Sequence, residues 1–436
     1  MAADVHTRVS AVPEVQHDVV LHSLAWLVLA NGIGVLLATL LIWPRVGDLF
    51  VPFTYGRWIT LHLNLHLYGW CSLPLVGLLF RMFLPRHSGR ASGWAIQAWS
   101  GALLFAAFQW LAGNTSSKPF MEWAGPARWV MPAAMLFLAA VLAGGYLQRM
   151  RVDRETVPVR TLKIGLLLAL VAVPFVMVWA ADPSLYPPIN PDSGGATGGS
   201  LLGSTLGVVG IILACPLVAG LPMRRGRILP GAWLVLGLHF GWFWMLDHGH
   251  RSHHEPSQII ALFSLVIWLP LLVLYLRRFT WPPVSRPWLA AFCVWGFLLL
   301  ATALVTFLPG VLDRWKFTNA LVAHTHIAMG GMLTCFLVLV LIALDPHGRW
   351  SGAFGNRWAF VGWHGGCWLY ASTMLLLGVL EADSPGALYF SEPITQLAYG
   401  IRLAGGVLMA LASWCWLALV WRAGPVDVHH VQGSVS

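Results

Sequence analysis

The stretch Phe317–Gly331 reads FTNALVAHTHIAMGG. His324 and His326 stand two residues apart inside the apolar segment 319–344. A run of this length reads as a membrane-crossing helix, which needs about 20 apolar residues. Residues two apart on a helix are separated by about 200°, so the two imidazoles point to nearly opposite faces. Imidazole inside a membrane is costly and usually functional. A lone membrane histidine is more often a hydrogen-bonded packing residue. The weight therefore falls on what accompanies the pair.

The rest of the chain is built like this segment. It has 436 residues, 58% of them hydrophobic and 10% charged. Soluble domains carry about 25% charged residues, so an ordinary cytoplasmic enzyme is excluded, and disorder requires low hydrophobicity. Twelve apolar segments follow one another, at 19–43, 58–84, 92–112, 127–148, 161–180, 199–221, 229–249, 257–277, 287–308, 319–344, 355–380 and 394–421. Pro and Gly clusters such as Pro187–Gly199 mark their boundaries. The expected fold is all-α, a polytopic integral membrane bundle of about twelve helices spanning 19–421. A cytoplasmic tail at 1–18 precedes it, and another at 422–436 follows.

The net charge of +9 is no sign of nucleic-acid binding. Only three of the 26 cations are Lys, and the Arg cluster in alternate loops: Arg81, Arg86 and Arg90; then Arg149, Arg151, Arg154, Arg160 and Lys163; then Arg224, Arg225 and Arg227; then Arg277, Arg278 and Arg286; then Arg349 and Arg357. Loops 181–199 and 381–395 hold no cation. The bias places both termini in the cytoplasm, in what is expected to be a bacterial inner membrane. The N-terminus is polar and acidic and lacks the order of a signal peptide. The six Cys lie in apolar segments without a C-x-x-C pair, against a disulfide framework or Cys-based zinc site. Covalent c-type haem has no attachment motif either.

This orientation sorts the histidines, which number 17, equal to all Asp and Glu together. His62 stands near the outer start of the second segment. His253 and His254 lie just past the outer end of the seventh, and His324 and His326 near the outer start of the tenth. Five imidazoles from three distant segments converge at one membrane depth. Imidazole is the common axial ligand of haem and a good ligand of copper and iron. His62 and His326 can share one haem, His324 can hold a second, and His253 with His254 can hold a further metal. His66 follows His62 by four, on the same helix face. His239 reads as structural, and His6, His17, His87, His347, His429 and His430 carry no site signal.

With these residues in view, the chain resembles subunit I of the haem–copper oxidase superfamily, nearest the branch of cbb-type cytochrome c oxidases and nitric oxide reductases. VGDLFVPFTYGRWITLHLNLHLYGW (46–70) is similar to the run into the family's helix 2. LHFGWFWMLDHGHRSHHEP (238–256) resembles helix 7, FSLVIWLP (263–270) helix 8, and GWHGGCWLY (362–370) helix 11. FTNALVAHTHIAMGG is the closest match. The resemblance implies a low-spin b-type haem on His62 and His326, a high-spin b-type haem on His324, and copper or non-haem iron at His253 and His254. His364 has no ligand role by this analogy, and Arg314, Lys316 and Arg402 are candidates to pair with haem propionates. It further implies O2 or NO as the bound gas, a cytochrome c or cupredoxin-type donor, accessory subunits and a lipid surround.

The departures are specific. No His lies between His87 and His239, and GGATGGSLLGSTLG (194–207) stands where the family takes a third non-haem ligand. The sixth and seventh segments hold no Tyr, and Ile267 occupies the place of a helix-8 Glu. Asp247, His248, His250 and Glu255 are the substitutes within reach along the chain. Carboxylates available for proton routes are few, so proton pumping is not expected. The alternative is a divergent, non-pumping paralogue for electron transfer or gas sensing. A transporter with structural histidines is disfavoured by the same scarcity of buried carboxylates.

Overall fold

The computed structural model describes residues 13–424 except 86–89, 117, 154, 346 and 389–391. His6, His87, His429, His430, Arg86, Arg154 and most of both tails lie outside the described residues.

Twelve long helices occupy the twelve apolar segments: α1 Pro13–Ile42, α2 Tyr55–Phe83, α3 Ala91–Leu111, α4 Ala127–Met150, α5 Val157–Ala180 and α6 Gly198–Val218. They continue as α7 Ile228–Met245, α8 Pro256–Leu276, α9 Ser285–Thr306, α10 Asn319–Ala343, α11 Arg357–Asp383 and α12 Pro393–Ala423. Among the described residues there is no β-strand. Eleven of the twelve are long and apolar enough to cross a membrane. The other, α3, has the same length but dilutes its apolar surface with Ser92, Gln97, Ser100 and Gln109. This is the architecture of a polytopic integral membrane protein. Large apolar side chains face outward along the helices, among them Phe108, Trp179, Leu238, Phe297 and Leu376, as a lipid surround requires.

Helix ends follow local chemistry. Pro stands in the first turn of α5, α8 and α12, where its missing N–H costs nothing. Asn356 caps α11, its side-chain oxygen accepting from Trp358 N and Ala359 N at 3.0 Å each. The seventh segment ends four residues earlier than the sequence pattern indicates. Leu246 turns extended, and Asp247 Oδ1 accepts from Gly249 N at 2.7 Å. That Asx turn offers the backbone an alternative to the helix, and it leaves His248 and His250 in a loop.

Helices α10, α11 and α12 pack at backbone contact. A Cβ on Gly378 of α11 would lie 2.0 Å from Ala320 N of α10, and one on Gly366 would lie 2.5 Å from Gly405 O of α12. Small residues supply the close approach that helix association in membranes needs. Helix α1 lies against α2 and α12, which closes a ring of α1, α2, α10, α11 and α12. Helices α6, α7 and α8 pack on one another and reach the rest through α2, α9 and α10. At the start of α6, a Cβ on Gly198 would meet Gln258 O of α8 at 2.4 Å. The glycines that stand where a third imidazole was sought therefore seat α6 directly on α8.

Candidate functional site

The ring of five helices encloses a cavity of about 510 Å³, within the range of cofactor pockets. His62, His66 and His326 all line it, together with Tyr370, Tyr399 and Arg402. His62 and His326 are prepared in the same way. His62 Nδ1 lies 2.8 Å from Ala30 O, and His326 Nδ1 lies 2.8 Å from Val322 O. A carbonyl only accepts, so both Nδ1 atoms carry the proton and both Nε2 atoms keep a lone pair. A backbone bond of this kind fixes tautomer and ring orientation in metal-ligating histidines.

The surroundings hold these rings in place. The His326 ring stacks on Tyr370, centroids 4.0 Å apart and planes 24° apart. Gly34 of α1 faces the His62 ring, and a Cβ there would lie 2.8 Å from His62 Cε1. The His66 ring stands edge-on to His62 at 4.7 Å. The helix widens into a π-helical stretch just past each of the two histidines, at Leu65–Cys71 in α2, three residues after His62, and at Ile327–Leu333 in α10, directly after His326. Such bulges are frequent at functional sites. The two stretches are linked through Thr334, which accepts from Trp70 Nε1 at 3.2 Å and donates to Met329 O at 2.8 Å.

Arg402 from α12 supplies the positive charge. Its guanidinium lies over Tyr370 at 5.1 Å and Tyr399 at 5.8 Å. Its Nε is buried with no hydrogen-bond partner among the described residues. A buried donor without an acceptor is costly, and an anionic group in the cavity would satisfy it. Phe120, from the loop between α3 and α4, covers one side of the cavity. Its φ of +64° is strained for a bulky residue. The loop is held there by Tyr68 Oη donating to Phe120 O at 3.0 Å, Trp110 Nε1 to Glu122 O at 2.8 Å, and Asn64 Nδ2 to Glu122 Oε2 at 2.8 Å.

His324 occupies the other face of α10, as the two-residue spacing requires. Its Nδ1 lies 2.8 Å from Thr302 Oγ1 of α9. Thr302 Oγ1 also lies 2.9 Å from Leu298 O. When the hydroxyl donates to that carbonyl, His324 Nδ1–H is the donor to Thr302 and its Nε2 keeps a lone pair. One helix thus presents two ligand-ready imidazoles to two different regions of the bundle.

His253 and His254 lie in the turn before α8, outside the helices. His253 is 1% exposed; His254 is exposed. Their rings stand 4.1 Å apart, and both Nε2 atoms meet one oxygen of Asp313, at 3.3 and 3.1 Å. His253 Nδ1 lies 2.9 Å from Asn190 Nδ2 and 3.7 Å from Asp192 Oδ2. Asp192, His253 and His254 each place a ligand atom within 4.8 Å of the others. His248 packs on Phe243 at 4.5 Å, and His250 Nδ1 accepts from Ile189 N at 3.2 Å, so neither joins the pair. Asp247 and Glu255 are engaged by Arg251.

Two further membrane histidines are engaged by tryptophans. His239 accepts from Trp268 Nε1 at 2.9 Å, and His364 accepts from Trp295 Nε1 at 3.0 Å. Of Arg314, Lys316 and Arg402, only Arg402 lines the cavity. Arg314 pairs with Asp383 at the surface. Lys316 donates to Asp192 O at 2.6 Å, beside the His253 cluster. Asp192, Asp313, Thr302 and Tyr370 were not singled out from sequence. The one available signal is that Asp192 and Asp313 are acids in the loops before α6 and α10, in a chain with few acids.

No protein-family model matches the chain, and no curated protein matches its sequence. Among solved structures, its fold is similar to that of a chain in the cryo-EM structure of a haem–copper terminal oxidase dimer. The TM-score is 0.61 at 16% sequence identity, with 95% of this chain and 86% of that chain covered. At that identity the likeness is one of fold.

Proposed function

We propose that this chain is the haem-bearing core of a membrane respiratory oxidoreductase, similar to subunit I of haem–copper oxidases and to the large subunit of nitric oxide reductases. One observation carries the reading. His62 and His326 reach a single cavity with both Nδ1 protons held by backbone carbonyls at 2.8 Å, the tautomer that axial ligation requires.

In this reading His62 and His326 hold a low-spin b-type haem, and Arg402 faces its carboxylates. His324 holds a high-spin b-type haem, oriented by Thr302. Such haems supply one-electron transfer and, where an axial position is open, binding of O2 or NO. The chain's own residues do the positioning. Tyr370 stacks on His326, Gly34 leaves room for the His62 ring, and Phe120 lines one side of the cavity. Donor access is from the side of the cation-poor loops, the outer face when both termini are cytoplasmic. The donor is a cytochrome c or cupredoxin-type protein, and accessory subunits are expected.

A second reading is a non-pumping paralogue for electron transfer or gas sensing. It is favoured by the absence of any Tyr from α6 and α7 and of any carboxylate from α6, the positions from which oxidase chemistry draws electrons and protons. Spectra of the purified protein test both readings. His326→Ala should abolish the low-spin signal and spare the carbon monoxide response, whereas His324→Ala should do the reverse. If neither variant changes either signal, the ligand assignment fails. Consumption of O2 or NO by the wild type then separates the enzyme from the paralogue.

A further inference from the structure

The resemblance implies copper or non-haem iron at His253 and His254, and the residues around the pair do not fit an all-imidazole copper site. Among the described residues two carboxylates flank the pair: Asp192, which groups with both histidines as a possible ligand set, and Asp313, whose Oδ2 meets both Nε2 atoms. We infer that His253, His254 and Asp192 form a two-histidine, one-carboxylate site for a divalent cation of the iron(II) or manganese(II) type. Asp313 is its positioning residue.

The hydrogen bonds give the polarity of the site. Asp313 Oδ2 lies 3.3 Å from His253 Nε2 and 3.1 Å from His254 Nε2. Asn190 Nδ2 donates to His253 Nδ1 at 2.9 Å, so that nitrogen carries no proton and Nε2 does. The lone pair of Nδ1 lies on the side of Asp192, whose Oδ2 is 3.7 Å away. A carboxylate behind an imidazole, with the lone pair forward, is the arrangement that orients metal-ligating histidines. A bound cation would displace the Asn190 N–H from Nδ1. Asn190 is held independently, since its Oδ1 accepts from Asp192 N at 3.0 Å, and this tie also sets the Asp192 backbone.

The parts come from three separate stretches of chain. Asp192 stands on the loop before α6, His253 and His254 in the turn before α8, and Asp313 between α9 and α10. Lys316 and Ser252 hold the Asp192 loop, Lys316 through the carbonyl and Ser252 through the carboxylate. With His253 buried and His254 and Asp192 exposed, the site is anchored on one side and open to solvent on the other. Two imidazoles with one carboxylate and open positions match non-haem Fe(II), whereas soft copper(I) prefers thiolate and imidazole without hard oxygen donors.

The inference is independent of haem at His62, His324 and His326, and it narrows the copper or non-haem iron that the resemblance implies at His253 and His254. The test uses the full-length detergent-purified protein, stripped of loosely held metal. It is titrated anaerobically with Fe(II), Mn(II) and Cu(I) separately, with Mn(II) followed by its paramagnetic resonance. One Fe(II) or Mn(II) should bind per chain. Asp192→Asn should weaken that binding at least tenfold and leave Cu(I) binding unchanged. Asp313→Asn should weaken it by roughly 10- to 100-fold, and His253→Ala with His254→Ala should abolish it. Haem content and the reduced spectrum, recorded on the same samples, report folding and test the haem reading separately. The inference is overturned if wild-type protein with intact helical content binds neither Fe(II) nor Mn(II). Indifference of the Fe(II) and Mn(II) affinities to Asp192→Asn would equally overturn it.

Discussion

Gly34→Ala is the most informative single substitution. The new Cβ would lie 2.8 Å from His62 Cε1 and 3.2 Å from Nδ1. Carbon contacts become comfortable near ~3.5 Å, so the ring must retreat by roughly 0.7 Å. The His62 Nδ1 to Ala30 O bond, 2.8 Å in the native protein, then stretches to about 3.5 Å, the limit of a hydrogen bond. Overpacking costs about 1–3 kcal/mol, and the lost bond about 1 kcal/mol. If His62 ligates haem as proposed, these together should reduce that ligation by a factor of roughly 30 to 1,000. The helix itself is not weakened, since Ala is the better helix former by about 1 kcal/mol. Gly32→Ala is the control, because nothing lies within 4 Å of a Cβ there. Optical and paramagnetic resonance spectra should show Gly34→Ala losing its six-coordinate low-spin component to a five-coordinate, carbon monoxide-reactive form. Gly32→Ala should match the wild type. If Gly34→Ala also matches it in haem content and spectrum, the placement of haem against His62 is refuted.

Three further outcomes are expected. Arg402→Leu removes the cation facing the cavity and should lower the midpoint potential of the low-spin haem by on the order of 60 mV, one decade for a one-electron couple, in a redox titration. Gly198→Ala drives a Cβ to 2.4 Å from Gln258 O and should cost about 1–3 kcal/mol, read as a lower Tm against a Gly207→Ala control. Burial pushes the Glu122 carboxyl above the ordinary carboxylate value, opposed by the Asn64 hydrogen bond. A raised native pKa stabilises the fold below the unfolded value of about 4.3 and loses that stabilisation as pH rises through the native value. Tm measured upward from about pH 4 should therefore contain a falling component that Glu122→Gln removes.

Much of this arrangement was legible in the sequence, because membrane helices announce themselves by length and because helical pitch is fixed. Those two facts place the twelve helices and send His324 and His326 to opposite faces. The order of His62 and His326 along the chain also anticipated a shared cavity, although nothing in the sequence marked the π-helical stretches beside them. The less legible features depend on contacts between distant segments. Asp313 is 60 residues from His253 along the chain, and no periodicity connects them. The end of α7 was misplaced by four residues because the Asx turn at Asp247 competes with the helix within an apolar context. Sequence proximity points to His248 and His250 as substitute ligands, but both are engaged elsewhere, and the acid that lies near the pair is Asp192, from the loop before α6. The glycines of α6 looked like a lost ligand position, and the structure gives them a packing role against Gln258.

The central claim is that paired imidazoles in this bundle hold haem. The most direct measurement is a pyridine haemochrome determination on the purified protein, combined with its reduced-minus-oxidised spectrum. The account predicts two b-type haems per chain, one of them six-coordinate and unresponsive to carbon monoxide. Folded protein that binds no haem when haem is supplied would contradict it.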